Sequence, residues 1–363
     1  MSTAPPPARA RERLGRSLQR AWDGRGTLST LLLPLSWIFG VVTRARRLLY
    51  ARGWLASSRL PVPVLVVGNL IVGGAGKTPA VVAIVALLRA RGHTPGIVSR
   101  GYGRHNDAVR IVEVDADASL VGDEPLLLRR RTGVPVAVGR DRVAAGRALL
   151  QAHPGIDVVV SDDGLQHLTL QRDAEVLVFD ERGGGNGRLL PAGPLREPVP
   201  SRLRQRQLVL YNAATPSTAL PGYLARRRLA GAVALDGWWR GDPPSLALLQ
   251  SLRGRPLLAV AGLARPQRFF AMLRELGIDA EERGLGDHHD FATLPWPAGT
   301  ADVIVTEKDA VKLRPSRAIE ARVWVAALDF SLEPAFEADL LSFLPPPRLT
   351  ASPAPMPHGN PPA

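Results

Sequence analysis

Short runs of aliphatic, often β-branched residues alternate along this chain with longer stretches of helical length. The run from Pro63 to Val67 is apolar on both faces and predicts a buried strand. Ala80 to Ala90 follows as an apolar run long enough for a helix. Further strands are predicted near 94–99, 111–114, 135–140, 157–161 and 174–179, with helices over 126–131 and 142–152. Around residue 205 the pattern restarts, with strands near 207–211, 232–235, 256–262, 302–306 and 323–328 and helices over 266–276 and 333–343. Strands separated by helices imply right-handed crossovers and a mainly parallel sheet. The expected fold is therefore α/β and P-loop NTPase-like, a mainly parallel sheet flanked by helices. A first unit over 59–205 and a second α/β unit over 206–345 account for the pattern.

Both ends depart from it. Residues 1–26 are basic and partly Pro/Ala-rich, with an amphipathic helix expected over 9–25 and disorder before it. The segment 27–58 carries the apolar run Leu31-Leu-Leu-Pro-Leu-Ser-Trp-Ile-Phe-Gly-Val-Val42, followed by Arg44, Arg46 and Arg47. About a dozen apolar residues fall short of the roughly 20 that span a bilayer. A tryptophan beside arginines suits a helix lying in the membrane interface; an ordinary buried helix is the alternative. The tail over 346–363 is Pro-rich and expected to be disordered.

Charge sharpens the N-terminal reading. The chain has 363 residues, 45% hydrophobic, with a formal net charge of +13. Eleven Arg against Glu12 and Asp23 in residues 1–60 supply +9 of it. With 5% aromatic residues and no nucleic-acid module, nucleic acid is not the expected partner; an anionic membrane surface is. There is no Cys, which excludes disulfides, thiolate metal sites and a cysteine nucleophile. Only Lys77, Lys308 and Lys312 among 46 basic residues are lysine, so a specific need for lysine is plausible at each.

Chemistry enters after the first strand. Gly73-Gly-Ala-Gly-Lys-Thr-Pro79 joins strand to helix as a phosphate-binding loop, the tighter variant, with Ile71 where the longer pattern has its first Gly. Gly73, Gly74, Ala75, Gly76 and Pro79 shape a cradle for ATP phosphates at a helix N-terminus. Lys77 reaches the β- and γ-phosphates, and the Thr78 hydroxyl suits Mg²⁺. The strand over 157–161 ends in Asp162 and Asp163, the position of a Mg²⁺-holding acid in such enzymes, with Gln166 and His167 just beyond. Arg100, Tyr102 and Arg104, in a Gly-rich loop after the second strand, either contact an anionic substrate or form a solvated turn. Asp123 and Glu124 open a helix, where an acid is most simply a cap.

Taken together, Leu33-Pro-Leu-Ser-Trp37, Gly68-Asn-Leu70, the phosphate loop, Ser99-Arg-Gly-Tyr-Gly-Arg104, Gly122-Asp-Glu-Pro125, Asp162-Asp-Gly-Leu-Gln-His167 and Leu190-Pro-Ala-Gly-Pro-Leu-Arg-Glu-Pro198 form an ordered set. Ala261-Gly-Leu-Ala-Arg-Pro266, Asp287-His288-His289 and Thr306-Glu-Lys-Asp-Ala-Val-Lys312 complete it. The set resembles the tetraacyldisaccharide 4′-kinases of lipid A biosynthesis over about residues 28–315. Leu165, where that family usually has Phe, and Gly286, where it more often has Pro or Ala, are the departures.

The resemblance implies ATP- and Mg²⁺-dependent phosphorylation of the 4′-hydroxyl of a tetraacylated glucosamine disaccharide 1-phosphate, the lipid A precursor, to give lipid IVA. It implies two α/β/α domains with the site between them and an N-terminal membrane-associated helix. It also implies a peripheral or monotopic place on the cytoplasmic face of a bacterial inner membrane. By the same resemblance Asp123 is the base and His288 its partner. Lys77 and the loop amides neutralise the transferring phosphate, Thr78, Asp162 and Asp163 hold the metal, and Arg100, Tyr102, Glu124, Gln166, His167 and Arg196 are substrate contacts. The protein is expected to act as a monomer. The competing reading is a variant-loop ATPase or GTPase switch with no lipid acceptor, a class that usually dimerises through a lysine that Val72 replaces here.

Overall fold

The strand β1 (Val64–Gly68) is buried at every position, as its unbroken apolar run requires of a strand covered on both faces. The computed structural model describes residue 22 and residues 24–104, 106–287, 289–315 and 320–348. The basic helix expected over 9–25 lies almost wholly outside the described residues, as does the tail from 349.

Strands β2 (Pro95–Ser99), β3 (Arg110–Ile111), β4 (Val136–Val138), β5 (Val158–Asp162), β6 (Ala174–Asp180), β7 (Gln207–Asn212) and β8 (Tyr223–Leu224) join β1 in one sheet. Its order is β3-β4-β2-β5-β1-β6-β7-β8, parallel throughout except for β3 against β4. The chain leaves β1 toward the β4 edge and returns from β5 across β1 to β6. The carboxyl ends of β1 and β5 therefore sit where the winding reverses, the place where open α/β sheets bind ligands. A second sheet holds β9 (Arg226–Ala234), β10 (Leu258–Ala261), β11 (Glu281–Gly284), β12 (Asp302–Thr306) and β13 (Arg322–Ser331), ordered β11-β10-β12-β13-β9 with β9 antiparallel.

Helices α1 (Leu33–Ala51), α2 (Lys77–Ala90), α3 (Asp123–Thr132), α4 (Arg142–Ala152), α5 (Gln267–Glu275), α6 (Glu307–Ala310) and α7 (Pro334–Ser342) frame the site. α2 packs on β1, β2 and β5 and, from its other side, on β13. One core therefore runs from Leu65 and Val67 through Ile84 and Leu88 to Val305 and Val325. Val64 and Val66, alternating with those residues, point into a separate core with Phe179 and Tyr211 on the far face.

Two expectations need correction. β7, expected to open the second unit at 206, pairs with β6 in the first sheet, because its six buried residues continue that sheet in register. The change of sheet falls between Leu224 and Arg226. The alternative of α1 as an ordinary buried helix also fails. Leu35, Trp37, Ile38, Val41 and Val42 are all exposed, and the buried positions are Ser36 and Gly40. The Ser36 hydroxyl donates to the Leu189 carbonyl at 2.9 Å. The helix thus docks through its small, polar face and turns its apolar face outward, the reverse of a soluble amphipathic helix. No helix among the described residues is long and apolar enough to cross a membrane.

Candidate active site

The loop after β1 turns through Gly73 (φ 92) and Gly76 (φ 85) before α2 begins. Both the left-handed backbone and the space demand glycine at 76, where a Cβ would lie 2.0 Å from the Asn212 amide nitrogen. Asn212 donates to the Ala75 carbonyl at 3.1 Å, and Arg182 donates to the carbonyls of Val72 (3.3 Å) and Gly74 (3.0 Å). Side chains from the ends of β6 and β7 thus tie down the loop carbonyls, at the N-terminus of a helix whose dipole favours an anion. Lys77, 11% exposed, donates to Asn69 Oδ1 at 3.1 Å and lies 3.7 Å from Asp163 Oδ1. Pro79 sits in the first turn of α2, where its missing N–H costs no helical bond.

β5 delivers the acidic pair into contrasting surroundings. Asp162 is buried; one oxygen accepts from the Ser99 hydroxyl at 2.9 Å and the other, Oδ1, has no hydrogen-bond partner among the described residues. Burial, with Glu124 and Asp163 nearby, pushes its carboxyl up to about 7. Asp163 follows at φ 50. Burial opposes its ionisation too, but Lys77 and Arg196 outweigh that and hold it below the usual carboxylate range. Arg196 Nη1 donates to both Asp163 oxygens (3.0 and 3.1 Å) and to Gln166 Oε1 (3.3 Å). One acid is neutralised by cations, and the other presents an unpartnered oxygen, the donor expected at a cation position.

Beyond the pair, the Gln166 carbonyl accepts from Arg46 of α1 at 3.3 Å. His167 Nε2 accepts the Arg142 backbone N–H at 3.2 Å, at the start of α4. Burial, then Arg142, depress its ring to about 4, so it is a neutral acceptor. Two expected substrate contacts, Arg196 and His167, thus have partners inside the protein. Arg100 is exposed at the end of β2, and Tyr102 is 64% exposed. Gly101 between them abuts Gly122, where a Cβ would come 3.0 Å from the Gly101 Cα, so this loop lies against the start of α3.

α3 opens with Asp123, buried, whose Oδ1 accepts the Glu124 N–H at 3.0 Å. Glu124 Oε1 accepts from Lys308, at the second sheet, at 3.1 Å, and Lys308 also donates to Asp287 at 3.1 Å. Burial opposes the charge on Lys308, but Glu124 and Asp287 outweigh it and raise its pKa. Lys312 Nζ lies 3.8 Å from Asp123 Oδ2. His288 lies outside the described residues. Its neighbour Asp287 reaches α3 through Lys308, and the His289 ring accepts the Phe291 N–H at 3.1 Å.

Between the sheets lies a cavity of about 390 Å³. Lys77, Thr78, Glu124 and Lys308 line its polar side, and Val82, Leu127, Phe269, Met272, Leu328 and Phe330 its apolar side. A charged floor beside an apolar wall, at this volume, suits a small ligand with an anionic and a ring-like end. Sequence reasoning gave no site role to Ser99, Arg182 or Asn212, whose parts depend on long-range pairing. Lys308 and Lys312 carried a signal, their rarity.

The tetraacyldisaccharide-1-P 4′-kinase family matches residues 28–345. A tetraacyldisaccharide 4′-kinase of Leptothrix cholodnii is 57% identical over 339 residues, 92% of this chain and 97% of the relative. One from Methylibium petroleiphilum is 55% identical over 351 residues, 95% and 98% of the two chains. A crystal structure of LpxK from Aquifex aeolicus in complex with ATP superposes with a TM-score of 0.72 at 28% identity, covering 88% of this chain and all of that one.

Proposed function

The chain belongs to the tetraacyldisaccharide-1-P 4′-kinase family, and from that premise we propose that it transfers the γ-phosphate of ATP to the 4′-hydroxyl of a tetraacyldisaccharide 1-phosphate. One observation carries the reading. The phosphate loop, with the Asp162/Asp163 pair behind Lys77 (3.7 Å to Asp163), shares one cavity between the sheets with Glu124, the neighbour of Asp123 at the start of α3. A switch ATPase needs the first two but has no use for a third acidic element joined to a second sheet.

Phosphoryl transfer needs charge neutralisation at the phosphate and a proton acceptor for the hydroxyl. Lys77 and the α2 N-terminus serve the first need. The residues fit Mg²⁺: Asp162 Oδ1 is buried without a hydrogen-bond partner among the described residues, and Thr78, next to Lys77, lines the cavity. Asp162 rather than Asp163 is the direct ligand in this reading, because Arg196 already engages both Asp163 oxygens. When bound, the ion would supply charge stabilisation to the transferring phosphate. Asp123 takes the hydroxyl proton, with His288 as its partner. Arg100 and Tyr102, exposed on the loop that lies against the start of α3, contact substrate; Arg196 and His167 support the acidic loop instead.

The cavity between the sheets supports a division into a kinase unit ending near 224 and a second unit over about 225–345. The outward apolar face of α1 supports a peripheral or monotopic seat on the cytoplasmic face of a bacterial inner membrane, with the protein working as a monomer. The test is transfer of labelled γ-phosphate from ATP to tetraacyldisaccharide 1-phosphate in detergent micelles. Wild type should label the lipid and Lys77→Ala should not. Nucleotide hydrolysis without labelled lipid would overturn the assignment.

A further inference from the structure

Lysine is scarce here, three residues among 46 basic ones, yet all three meet acids at this site. Lys77 faces Asp163. The other two lie four residues apart, on and just after α6 of the second sheet, and so project from one side of that turn. They meet consecutive acids at the start of α3, Lys308 with Glu124 at 3.1 Å and Lys312 with Asp123 at 3.8 Å.

The two contacts differ in kind. Lys308 hydrogen-bonds its acid and also Asp287. Lys312 makes no hydrogen bond among the described residues, although its side chain is only 8% exposed. Its ammonium lies between Asp123 at 3.8 Å and Asp309 at 3.7 Å, 5.3 Å from the centre of the Phe291 ring. Asp309 is itself fixed. The Gly262 N–H donates to both its oxygens at 3.1 Å, and the Thr306 hydroxyl donates at 2.7 Å. Gly262 is needed there, since a Cβ would come 2.7 Å from Asp309 Oδ1.

We infer that Lys312 is a positioning residue that keeps Asp123 ionised in the cleft from across the sheet boundary, with the Lys308–Glu124 contact docking it in place. This rests on reading Asp123 as the base. A base needs its negative charge stabilised and a lone pair left for the incoming proton. An ammonium held at 3.8 Å stabilises the charge without itself occupying a lone pair of the carboxylate. An arginine fork would tend to bond the carboxylate directly, which explains lysine at this place in an arginine-rich chain. Among the described residues, the charged groups near Asp123 include Glu124 on α3, Lys308 and Lys312 from the second sheet, and Asp287 and Asp309 behind those lysines; His288, read above as its partner, lies outside the described residues.

The experiment compares lipid phosphorylation by wild type, Lys312→Met, Lys312→Arg and Asp123→Asn across pH, with ATP affinity measured separately. Lys312→Met should keep ATP KM within about twofold and lose roughly tenfold or more in kcat at neutral pH, its acid limb moving up by about one pH unit or more. The deficit should therefore shrink as pH rises. Lys312→Arg should lose kcat but keep the wild-type limb. A Lys312→Met loss that is uniform across pH, or a limb that does not move while Asp123→Asn is inactive, overturns the role of Lys312 alone. An active Asp123→Asn removes the base reading itself. Should Lys312→Met fail to fold, Lys312→Gln takes its place, with the same upward limb expected and the same unmoved limb decisive against it.

Discussion

Asp162 and His167, five residues apart in one loop, are tuned in opposite directions by burial, and their pH effects on stability oppose each other. The Asp162 carboxyl titrates near 7 in the folded chain against an ordinary 3.8. Between those values the unfolded chain has released a proton that the folded chain keeps, so stability falls as pH rises and the full cost stands above about 7. His167 titrates near 4 against an ordinary 6.5, so its contribution is complete above about 6.5 and is lost as pH falls toward 4. Across their shared window the two slopes largely cancel. Asp162→Asn should therefore stabilise the nucleotide-free protein by up to about 4 kcal/mol at pH 8 and by nothing near pH 4. It should also expose the His167 slope on acidification and abolish lipid phosphorylation. Urea denaturation at a series of pH values reads all but the last; an Asp162→Asn curve parallel to wild type would contradict the account. A buried carboxyl that costs stability in this way fits the cation-holding role proposed for Asp162.

At the scale of elements, the hydrophobic pattern was informative wherever an element is buried on both sides. β1 and β5 are continuous apolar runs, and α4 was legible to the residue, with Asp141 as its cap. β8 and β11 were not legible. β8 has two half-buried residues, and β11 is Glu-Glu-Arg-Gly at a sheet edge, held by backbone pairing that leaves no side-chain period. α1 was legible as an apolar helix suited to a membrane interface, but the face it docks through was not, because that depends on what Ser36 and Gly40 meet. That face yields a prediction. Trp37→Glu with Ile38→Glu should leave the melting temperature within a few degrees of wild type, since both side chains are more than 60% exposed. Binding to anionic lipid vesicles should weaken by roughly tenfold or more. Vesicle flotation measures the second, and an unchanged bound fraction would remove α1 from any role at a membrane.

For the whole molecule, the consequential feature is that the second sheet is linked to the phosphate loop, through Asp180 and Arg182, as well as to Asp123. The sequence placed both motifs but not their coupling, because Asp180 and Arg268 are separated by 88 positions and belong to no recognisable pattern. Asp180 is fully buried at the end of β6, and Arg182 and Arg268 outweigh that burial and hold it below the usual carboxylate range. Arg182 lies 2.9 Å from it and holds the loop carbonyls of Val72 and Gly74. Arg268, on α5 of the second sheet, lies 3.1 Å from the same carboxylate. Removing Arg268 leaves Asp180 competing with the loop for Arg182, at a cost of roughly 1–3 kcal/mol for a half-paired buried charge. Because the loop holds ATP before any chemistry begins, the loss should fall on ATP binding. Arg268→Ala should raise ATP KM by about five- to a hundredfold with a much smaller change in kcat. Glu181→Ala, which removes a more exposed partner of the same arginine, should change KM by no more than about threefold. Steady-state kinetics with lipid saturating separates these outcomes. A fall in kcat at unchanged ATP KM would mean that the second sheet acts through the base alone.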